Sequence, residues 1–448
     1  MEMASLLRLV ALSLLLAVAT PVRDITDACS SQVKAADFPH LNGSGLHLTL
    51  HHPRSPCSPA PLPADLPFSA VLTHDDARIA SLAARLAKTP SSRPTALDES
   101  SSLALDESSS PALDESLASV PLGPGTSVGV GNYVTRMGLG TPAKSYVRQA
   151  GPVFNPKASS SYASVSCSAP QCSDLTSATL NPAACSRSNV CVYQASYGDS
   201  SFSVGYLSKD TVTLGSGSMP NFYYGCGQDN EGLFGRSAGL IGLARNKLSL
   251  LYQLAPSLGY SFSYCLPTSS SSSGYLSIGS YNPGQYAYTP MASSSLDDSL
   301  YFIKMTGITV AGRPLSVSKS AYSSLPTIID SGTVITRLPT GVYSALSKAV
   351  AAAMKGTPSA PAFSILDTCF QGQASQVRAP AVSMAFAGGA VLKLAARNLL
   401  VDVDSATTCL AFAPARSAAI IGNTQQQTFS VVYDVKSNKI GFAAGGCS

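Results

Sequence analysis

From Asn132 to its end the chain alternates short apolar and polar runs with turn residues. Val190 to Tyr197, Gly205 to Leu214 with Ser216-Gly217 as a polar tip, and Tyr275 to Gly279 all show this pattern. A period of two places alternate side chains on opposite faces, which predicts strand after strand. Helical spacing is confined to Ser249–Ala255 and to Val342–Met354, which follows the Pro339-Thr340-Gly341 turn. With 448 residues, 45% hydrophobic and only 12% charged, the chain can bury a large core. One stretch of this β-rich region carries a possible chemistry, Thr327-Ile328-Ile329-Asp330-Ser331-Gly332-Thr333. Apolar β-formers deliver a carboxylate to the end of a strand, and Gly332 permits the tight turn behind it. Taken alone, Asp-Ser-Gly describes an ordinary turn equally well.

Several chemistries are excluded at once. His40, His47, His51, His52 and His74 are the only histidines, and all precede the β-rich region. If the mature chain begins near Pro121 it holds no histidine, which rules out Ser-His-Asp and Cys-His catalysis and any His-ligated metal. No Cys-x-x-Cys pair occurs, so neither a zinc ribbon nor a thioredoxin-like site is expected, and no cofactor is. Eleven cysteines favour an oxidising compartment. Nine of them, from Cys167 onward, fall in the mature region, so at least one thiol there lacks an intrachain partner.

The N-terminal part reads as processing machinery. Residues 1–20 have Arg8, an apolar core from Leu12 to Val18, and small residues at Ala17-Val18-Ala19, as a secretory signal does. Residues 21–120 are expected to be a pro-segment ending in an acidic, serine-rich linker. Within it, His74 to Leu86 has apolar positions at helical spacing with acids in its first turn. Asn42-Gly43-Ser44 is the one glycosylation sequon. Ala-Leu-Asp-Glu-Ser recurs from Ala96, Ala104 and Ala112, too polar to bury a core and suited to cleavage. Residues 1–120 carry 8 basic and 13 acidic residues, net −5, and residues 121–448 carry 21 and 12, net +9. The basic residues form no run, so they read as scattered and solvated. After the leader no apolar run approaches the ~20 residues of a membrane-spanning helix.

The neighbours of Asp330 give its motif a context. Ala419-Ile420-Ile421-Gly422-Asn423, Gly239-Leu240-Ile241-Gly242-Leu243-Ala244, Tyr197-Gly198-Asp199-Ser200-Ser201, and the ending Val431-Val432-Tyr433-Asp434 through Lys439 to Ala443 occur in the order they take in pepsin-like aspartic proteases. The chain resembles that family. Its cysteine spacing, Tyr301-Phe302-Ile303 and Gly307-Ile308-Thr309-Val310 resemble the plant nepenthesin-type branch. The resemblance implies an all-β, bilobal acid-protease fold, with an N-terminal lobe at 131–292, a boundary near Ser293 to Asp298, and a C-terminal lobe at 298–448. It implies a catalytic Asp330 supported by Ser331, Gly332 and Thr333, a flap tyrosine at Tyr197, and a Cys369–Cys409 disulfide. It also implies a monomer acting on peptide or protein substrates without a metal, secreted or vacuolar, and a pro-segment helix that covers the cleft.

One departure governs the functional expectation. The family draws one catalytic aspartate from each lobe, and Asp-Thr/Ser-Gly occurs once here. After Tyr133 to Pro142, Ser145-Tyr146-Val147 runs directly into Arg148-Gln149-Ala150-Gly151, where relatives interpose the first catalytic strand. A few dozen residues are missing, and the first lobe is expected to be incomplete. The remaining acids of that lobe, Asp174, Asp199, Asp210 and Asp229, do not follow an apolar strand and precede Ser/Thr-Gly. Peptide hydrolysis by two carboxylates sharing a proton cannot run on one, so activity is expected to be impaired or absent. The alternatives are a non-catalytic protein that binds peptides or proteins, and a chloroplast nucleoid DNA-binding relative. The leader and the absence of a basic cluster argue against nucleic acid.

Overall fold

The computed structural model describes residue 29, residues 35–41, 45–58 and 66–87, and residues 133–447 with short interruptions at 136, 146–153, 197–201, 216, 232–238 and 295. The signal segment, the Ala-Leu-Asp-Glu-Ser repeats, the Asn42 sequon and Tyr197 lie outside the described residues.

Alternating strands dominate, as the period-two pattern predicts. Cys191–Ser196, Phe202–Leu214 and Ser273–Ile278 coincide with the three runs singled out in the sequence. The two expected helices are Leu250–Leu258, whose Ser249 hydroxyl accepts the Tyr252 N–H as an N-cap, and Thr340–Ala353. A third, Pro170–Thr179, has Pro at its first position and buries only Cys172 and Leu175. So few apolar positions leave no visible stripe in the sequence.

A six-stranded antiparallel sheet ties the ends of the chain together. Its order is Leu46–His51, Ser273–Ile278, Ser261–Cys265, Ser430–Asp434, Lys439–Ala443 and Ala287–Pro290. Leu46–His51 pairs along its whole length, from Leu46 opposite Ile278 to His51 opposite Ser273. Toward the N-terminus of the β-rich region, Phe202–Leu214 is flanked by Cys191–Ser196 and by Gly217–Glu231. The Cys172–Cys191 disulfide fastens the helix Pro170–Thr179 to that sheet, over a small core of Val165, Leu175, Tyr193 and Leu207.

The C-terminal region contains a mixed five-stranded sheet, in the order Phe302–Ile303, Thr327–Ile329, Ala419–Ile421, Thr336–Pro339 and Phe412–Ala415. Thr327–Ile329 runs parallel to Ala419–Ile421, and Thr336–Pro339 parallel to Phe412–Ala415. Strands covered on both faces need apolar residues at consecutive positions, which is why Ile328-Ile329 and Ala419-Ile420-Ile421 do not alternate. The helix Thr340–Ala353 covers one face with Val342, Leu346 and Val350, all fully buried. Cys369 and Cys409 sit opposite each other on adjacent strands and form the disulfide the family resemblance implies.

The helix expected from His74 begins earlier and spans Phe68–Ala87. Val71 and Leu72 extend its apolar stripe upstream and pack with Val334, Ile335, Leu366 and Ala413. Leu82, with Ile79 and Leu86 beside it, packs on Phe302, Ile328, Ala418 and Ile420. Asp75 and Asp76 therefore lie inside the helix rather than in its first turn, and they have a different task.

Candidate active site

Asp330 follows the strand Thr327–Ile329, and its N–H donates to the Ile421 carbonyl at 3.2 Å, which continues the parallel pairing into the loop. Behind it the chain folds back on itself, the Thr333 N–H donating to the Asp330 carbonyl at 3.3 Å. The strand Ala419–Ile421 then crosses directly beneath this loop. The Asn423 N–H donates to the Thr333 carbonyl at 2.6 Å, and the Asn423 side chain donates to the Ser331 carbonyl at 3.1 Å. Gly422 sits at the crossing, where a Cβ would come within 2.7 Å of the Val334 carbonyl oxygen. Only glycine lets the two backbones approach so closely.

The Asp330 carboxylate is well partnered. Thr333 donates its hydroxyl to Oδ2 at 2.7 Å, and Arg78 of the helix Phe68–Ala87 donates Nε to Oδ2 and Nη2 to Oδ1, both at 3.0 Å. This is the two-pronged guanidinium–carboxylate geometry, the strongest form of that contact. Burial works to raise the pKa of Asp330, but the charge and hydrogen bonds of Arg78, with those of Thr333 and the Gly332 N–H, outweigh it and hold the carboxyl below its ordinary value. Among the described residues no second carboxylate hydrogen-bonds to Asp330. Asp174 pairs with Lys247 at 3.2 Å, and Asp210 accepts from Ser159 at 3.0 Å and from the Thr211 N–H at 2.7 Å. The structure brings Asp330, Ser331, Gly332 and Thr333 into one turn, and the Tyr197 flap position lies outside the described residues.

Several groups at this site were not singled out from the sequence. Tyr264, from the six-stranded sheet, donates its hydroxyl to Gln426 and lies 3.0 Å from the Tyr433 hydroxyl. Burial raises the pKa of both tyrosines, and the charge of Asp330 pushes in the same direction, so both stay protonated beside the loop. Arg337 is the other omission. Its Nη2 donates to Asp75 Oδ2 at 3.0 Å and to Asp76 Oδ1 at 2.8 Å. The second carboxylate oxygen of Asp75 accepts the Val334 N–H, and the Ile335 N–H donates to Oδ2 at 3.3 Å. A signal was present for Arg337 and for its partner Asp75. Arg337 is a charge inside the apolar run Val334-Ile335-Thr336-Arg337-Leu338, and Asp75 falls on the apolar stripe of its helix at the spacing Leu72, Asp75, Ile79, Leu82.

The counterpart segment Gly239 to Ala244 has a different setting. It forms no strand, and Leu240 is 63% exposed. Among the described residues, a Cβ on Gly242 would meet nothing within 4 Å. Among the described residues its C-terminal end is hydrogen-bonded, the Gly242 carbonyl accepting the Leu250 N–H at 2.9 Å and the Leu243 carbonyl accepting the Tyr301 hydroxyl at 2.7 Å, and Ile241 and Leu243 pack at the edge of the main core.

No group of three or more His, Cys, Asp or Glu residues suited to a metal ion occurs among the described residues. No helix among them is long and apolar enough to cross a membrane.

Comparison with known proteins agrees with this architecture. Family models described as xylanase inhibitor N-terminal and xylanase inhibitor C-terminal match residues 141–280 and 300–444. The chain is 38% identical to an aspartyl protease family protein of Arabidopsis thaliana, covering 84% of this chain and 82% of the relative. It is 35% identical to the aspartyl protease AED1 of the same plant, covering 89% and 86%, and 34% identical to aspartic proteinase nepenthesin-2 of Nepenthes gracilis, covering 71% and 78%. In the first of these, 406 aligned positions hold 84% of 448 residues, about 376, so about 30 positions of the relative face no residue here. In the second, 427 positions hold 89%, about 399, leaving about 28. Among solved structures, the fold is similar to that of edgp, with TM-score 0.57 and 22% identity, covering 70% of this chain and 91% of that one. Conglutin gamma, a basic 7S globulin from lupine seeds, gives TM-score 0.57 at 21% identity, covering 70% and 92%.

Proposed function

Because this chain belongs to the pepsin-like aspartic protease family, among relatives that are plant aspartyl proteases and nepenthesins, we propose that it is a proteolytically silent member of that family as its sequence stands. Asp330 is the one catalytic aspartate, with Thr333 and Gly332 orienting its carboxylate, and its first-lobe partner is missing. We divide the β-rich region into a truncated lobe at 131–292 and a complete lobe at 298–448. In the two-carboxylate reaction, one ionised group takes a proton from the attacking water while its neutral partner donates to the peptide carbonyl. The observation that carries the reading is that both oxygens of Asp330 are taken up by Arg78 and Thr333, and no second carboxylate hydrogen-bonds to it among the described residues. The protein is then a binder of peptides or proteins at the remaining cleft, held in an oxidising secretory or vacuolar compartment that its disulfides favour.

The test is hydrolysis of denatured protein and of a mixed peptide pool between about pH 3 and 6. The intact chain, an Arg78→Ala chain and an Asp330→Ala chain should be indistinguishable, since losing one member of a catalytic unit costs roughly 10⁴- to 10⁶-fold. Pepstatin-sensitive cleavage that vanishes in Asp330→Ala would sink the reading. The alignment shortfall of about 30 positions favours one second reading, an encoded segment between Val147 and Arg148 that this sequence lacks. Sequencing the transcript across the codons for Val147 to Gly151 separates the two.

A further inference from the structure

A cleft of about 290 Å³ opens between the helix Pro170–Thr179, the strand Gly217–Glu231 and the helix Leu250–Leu258, and no residue of the Asp330 turn lines it. Its frame is fixed. The Cys172–Cys191 disulfide anchors the helix Pro170–Thr179 to the sheet. Asn246 donates its amide to the Ser177 hydroxyl at 3.0 Å and accepts the Leu248 N–H at 2.9 Å, which pins the turn carrying Lys247 against that helix. From the other helix, Gln253 accepts the Tyr223 N–H at 2.7 Å and donates to the Tyr223 carbonyl at 2.9 Å, so its amide stands where a pairing strand would. The strand itself is bulged. Between the pairs Asp210–Phe222 and Val212–Met219, Pro220 and Asn221 together face Thr211 alone, and Asn221 has φ 57°. Asn tolerates that left-handed conformation better than most residues, and a bulge re-aims the side chains it carries. Pro220 and Asn221 both line the cleft.

The lining mixes ring faces with hydrogen-bonding groups. Tyr223 and Tyr252 supply the rings, and Tyr260 braces Tyr252 in a T-shaped contact at 5.3 Å. Asp174 and Lys247 pair at 3.2 Å, offering an acceptor and a donor with no net charge between them. The side-chain amides of Gln171 and Asn221 each donate and accept, and neither makes a side-chain hydrogen bond among the described residues.

We propose that this cleft binds a neutral sugar, one or two pyranose rings of an oligosaccharide, with Tyr252 and Tyr223 against the apolar C–H face and Asp174, Lys247, Gln171 and Asn221 on the hydroxyls. A pyranose is uncharged, its hydroxyls both donate and accept, and one face of its ring is apolar, which matches each class of group present. A charged ligand would be repelled by one member of the Asp174–Lys247 pair. An extended peptide adds to a strand edge through its main chain, and Gln253 already occupies that edge at Tyr223. The volume lies at the low end of the roughly 300–1,000 Å³ of small-molecule sites, as a ligand of this size requires. The cleft shares no residue with the Asp330 turn, so the inference does not rest on whether the chain hydrolyses peptides.

The experiment titrates the full chain with cellobiose, maltose and xylobiose, read by calorimetry and by saturation transfer from protein to sugar protons. At least one of the three should bind with a Kd below about 10 mM, with transfer strongest to ring C–H protons. Two variants locate the site without threatening the fold. Lys247 is 77% exposed, and an ion pair so open to solvent contributes little to stability, so Asp174→Ala with Lys247→Ala should keep its denaturation midpoint while weakening binding by about 10-fold. Asn221→Gly suits the left-handed backbone and removes only the amide, so it too should keep its midpoint, with binding weakened by about 5-fold. No binding of any of the three at about 20 mM overturns the proposal, as does binding that both variants leave unchanged. A hexaproline peptide that binds the native chain and displaces the sugar in proportion would make the cleft a peptide groove, and overturns it equally.

Discussion

Two segments share an apolar run ending in glycine, Ile420-Ile421-Gly422 toward the C-terminus and Leu240-Ile241-Gly242 in the middle of the chain. A Cβ on Gly422 would come within 2.7 Å of the Val334 carbonyl oxygen, whereas one on Gly242 would meet none of the described residues within 4 Å. Around Gly422 lie a five-stranded sheet, a buried helix and a loop stitched by Asn423. Around Gly242 the backbone forms no strand, and the neighbouring Leu240 faces outward. The same local sequence becomes a strand only where another segment exists to pair with it. Apolar β-formers are a condition for a sheet, and a partner is the other.

Supplying the partner should break the asymmetry most completely. Inserting about 30 residues that encode an apolar strand followed by Asp-Thr-Gly-Ser between Val147 and Arg148 should raise acid-pH peptide hydrolysis by about 10⁴-fold or more, by the scale of losing one catalytic member. Asp330→Ala in the extended chain should return it to background. An extended chain that folds with slow amide exchange at Leu240 to Leu243 yet remains inactive would show that the segment completes the sheet without completing the site.

The two glycines give a smaller and more local test. Gly422→Ala forces its Cβ against backbone atoms at 2.7 to 3.0 Å, which cannot rotate away, and should destabilise the C-terminal lobe by about 2–3 kcal/mol. Gly242→Ala meets nothing and should change stability by no more than about 0.5 kcal/mol. Chemical denaturation of both variants reads the difference. In a chain extended by the missing segment the two substitutions should cost alike, and a large cost for Gly242→Ala in the present chain would mean that the first lobe is already completed by something else.

How much of this was legible beforehand follows from the range of the forces involved. Strands such as Phe202–Leu214 and the turn at Asp330 are written in residues that are neighbours along the chain, and period and turn chemistry expose them. The Asp75–Arg337 contact spans 262 positions, and nothing local joins its two halves. What the sequence does show is that each half is out of place, a charge on an apolar stripe in one case and in a buried strand in the other. Asp75 and Asp76 look like first-turn acids favoured by the helix dipole and point to a start at His74, whereas Phe68 and Leu72 carry the apolar stripe past them and the helix starts at Phe68. Tyr264 and Tyr433 reach the site through the six-stranded sheet, whose order no local pattern encodes.

Asp75 of the helix Phe68–Ala87 and Asp330 facing it respond to pH in opposite directions. Asp330 is held below its ordinary value of 3.8, so its contact with Arg78 is fully present above that pH and is lost as the pH falls through the depressed value. Burial pushes Asp75 up to about 6 against the pull of Arg337 and the two backbone amides. A raised value means that docking takes up a proton, so this contribution is fully present below about 3.8 and is lost as the pH rises through about 6. Resistance of the intact chain to denaturant should therefore be greatest near pH 4 to 5, and Asp75→Asn should flatten the dependence between 4 and 6. A denaturation midpoint that falls steadily from pH 6 down to 4 in the native chain contradicts this assignment.

The smallest effect concerns the thiol left over on the strand Gly217–Glu231. Cys167–Cys185, Cys172–Cys191, Cys265–Cys447 and Cys369–Cys409 are bonded, and Cys226 is the free cysteine among the described residues. The odd count from Cys167 onward thus resolves onto Gly217–Glu231, a strand whose sheet partner is Phe202–Leu214. Burial and the nearby charge of Asp210 raise the pKa of Cys226, so little thiolate forms near neutrality. Alkylation of the native chain at pH 7 should leave this cysteine unmodified, and unfolding should expose it. If the missing segment brings a cysteine to this strand, the extended chain should show no reactive thiol here even when unfolded. Rapid labelling of Cys226 in the native chain would place that strand in solvent, and the difference between the lobes would then reach beyond the catalytic strand to the sheet behind it.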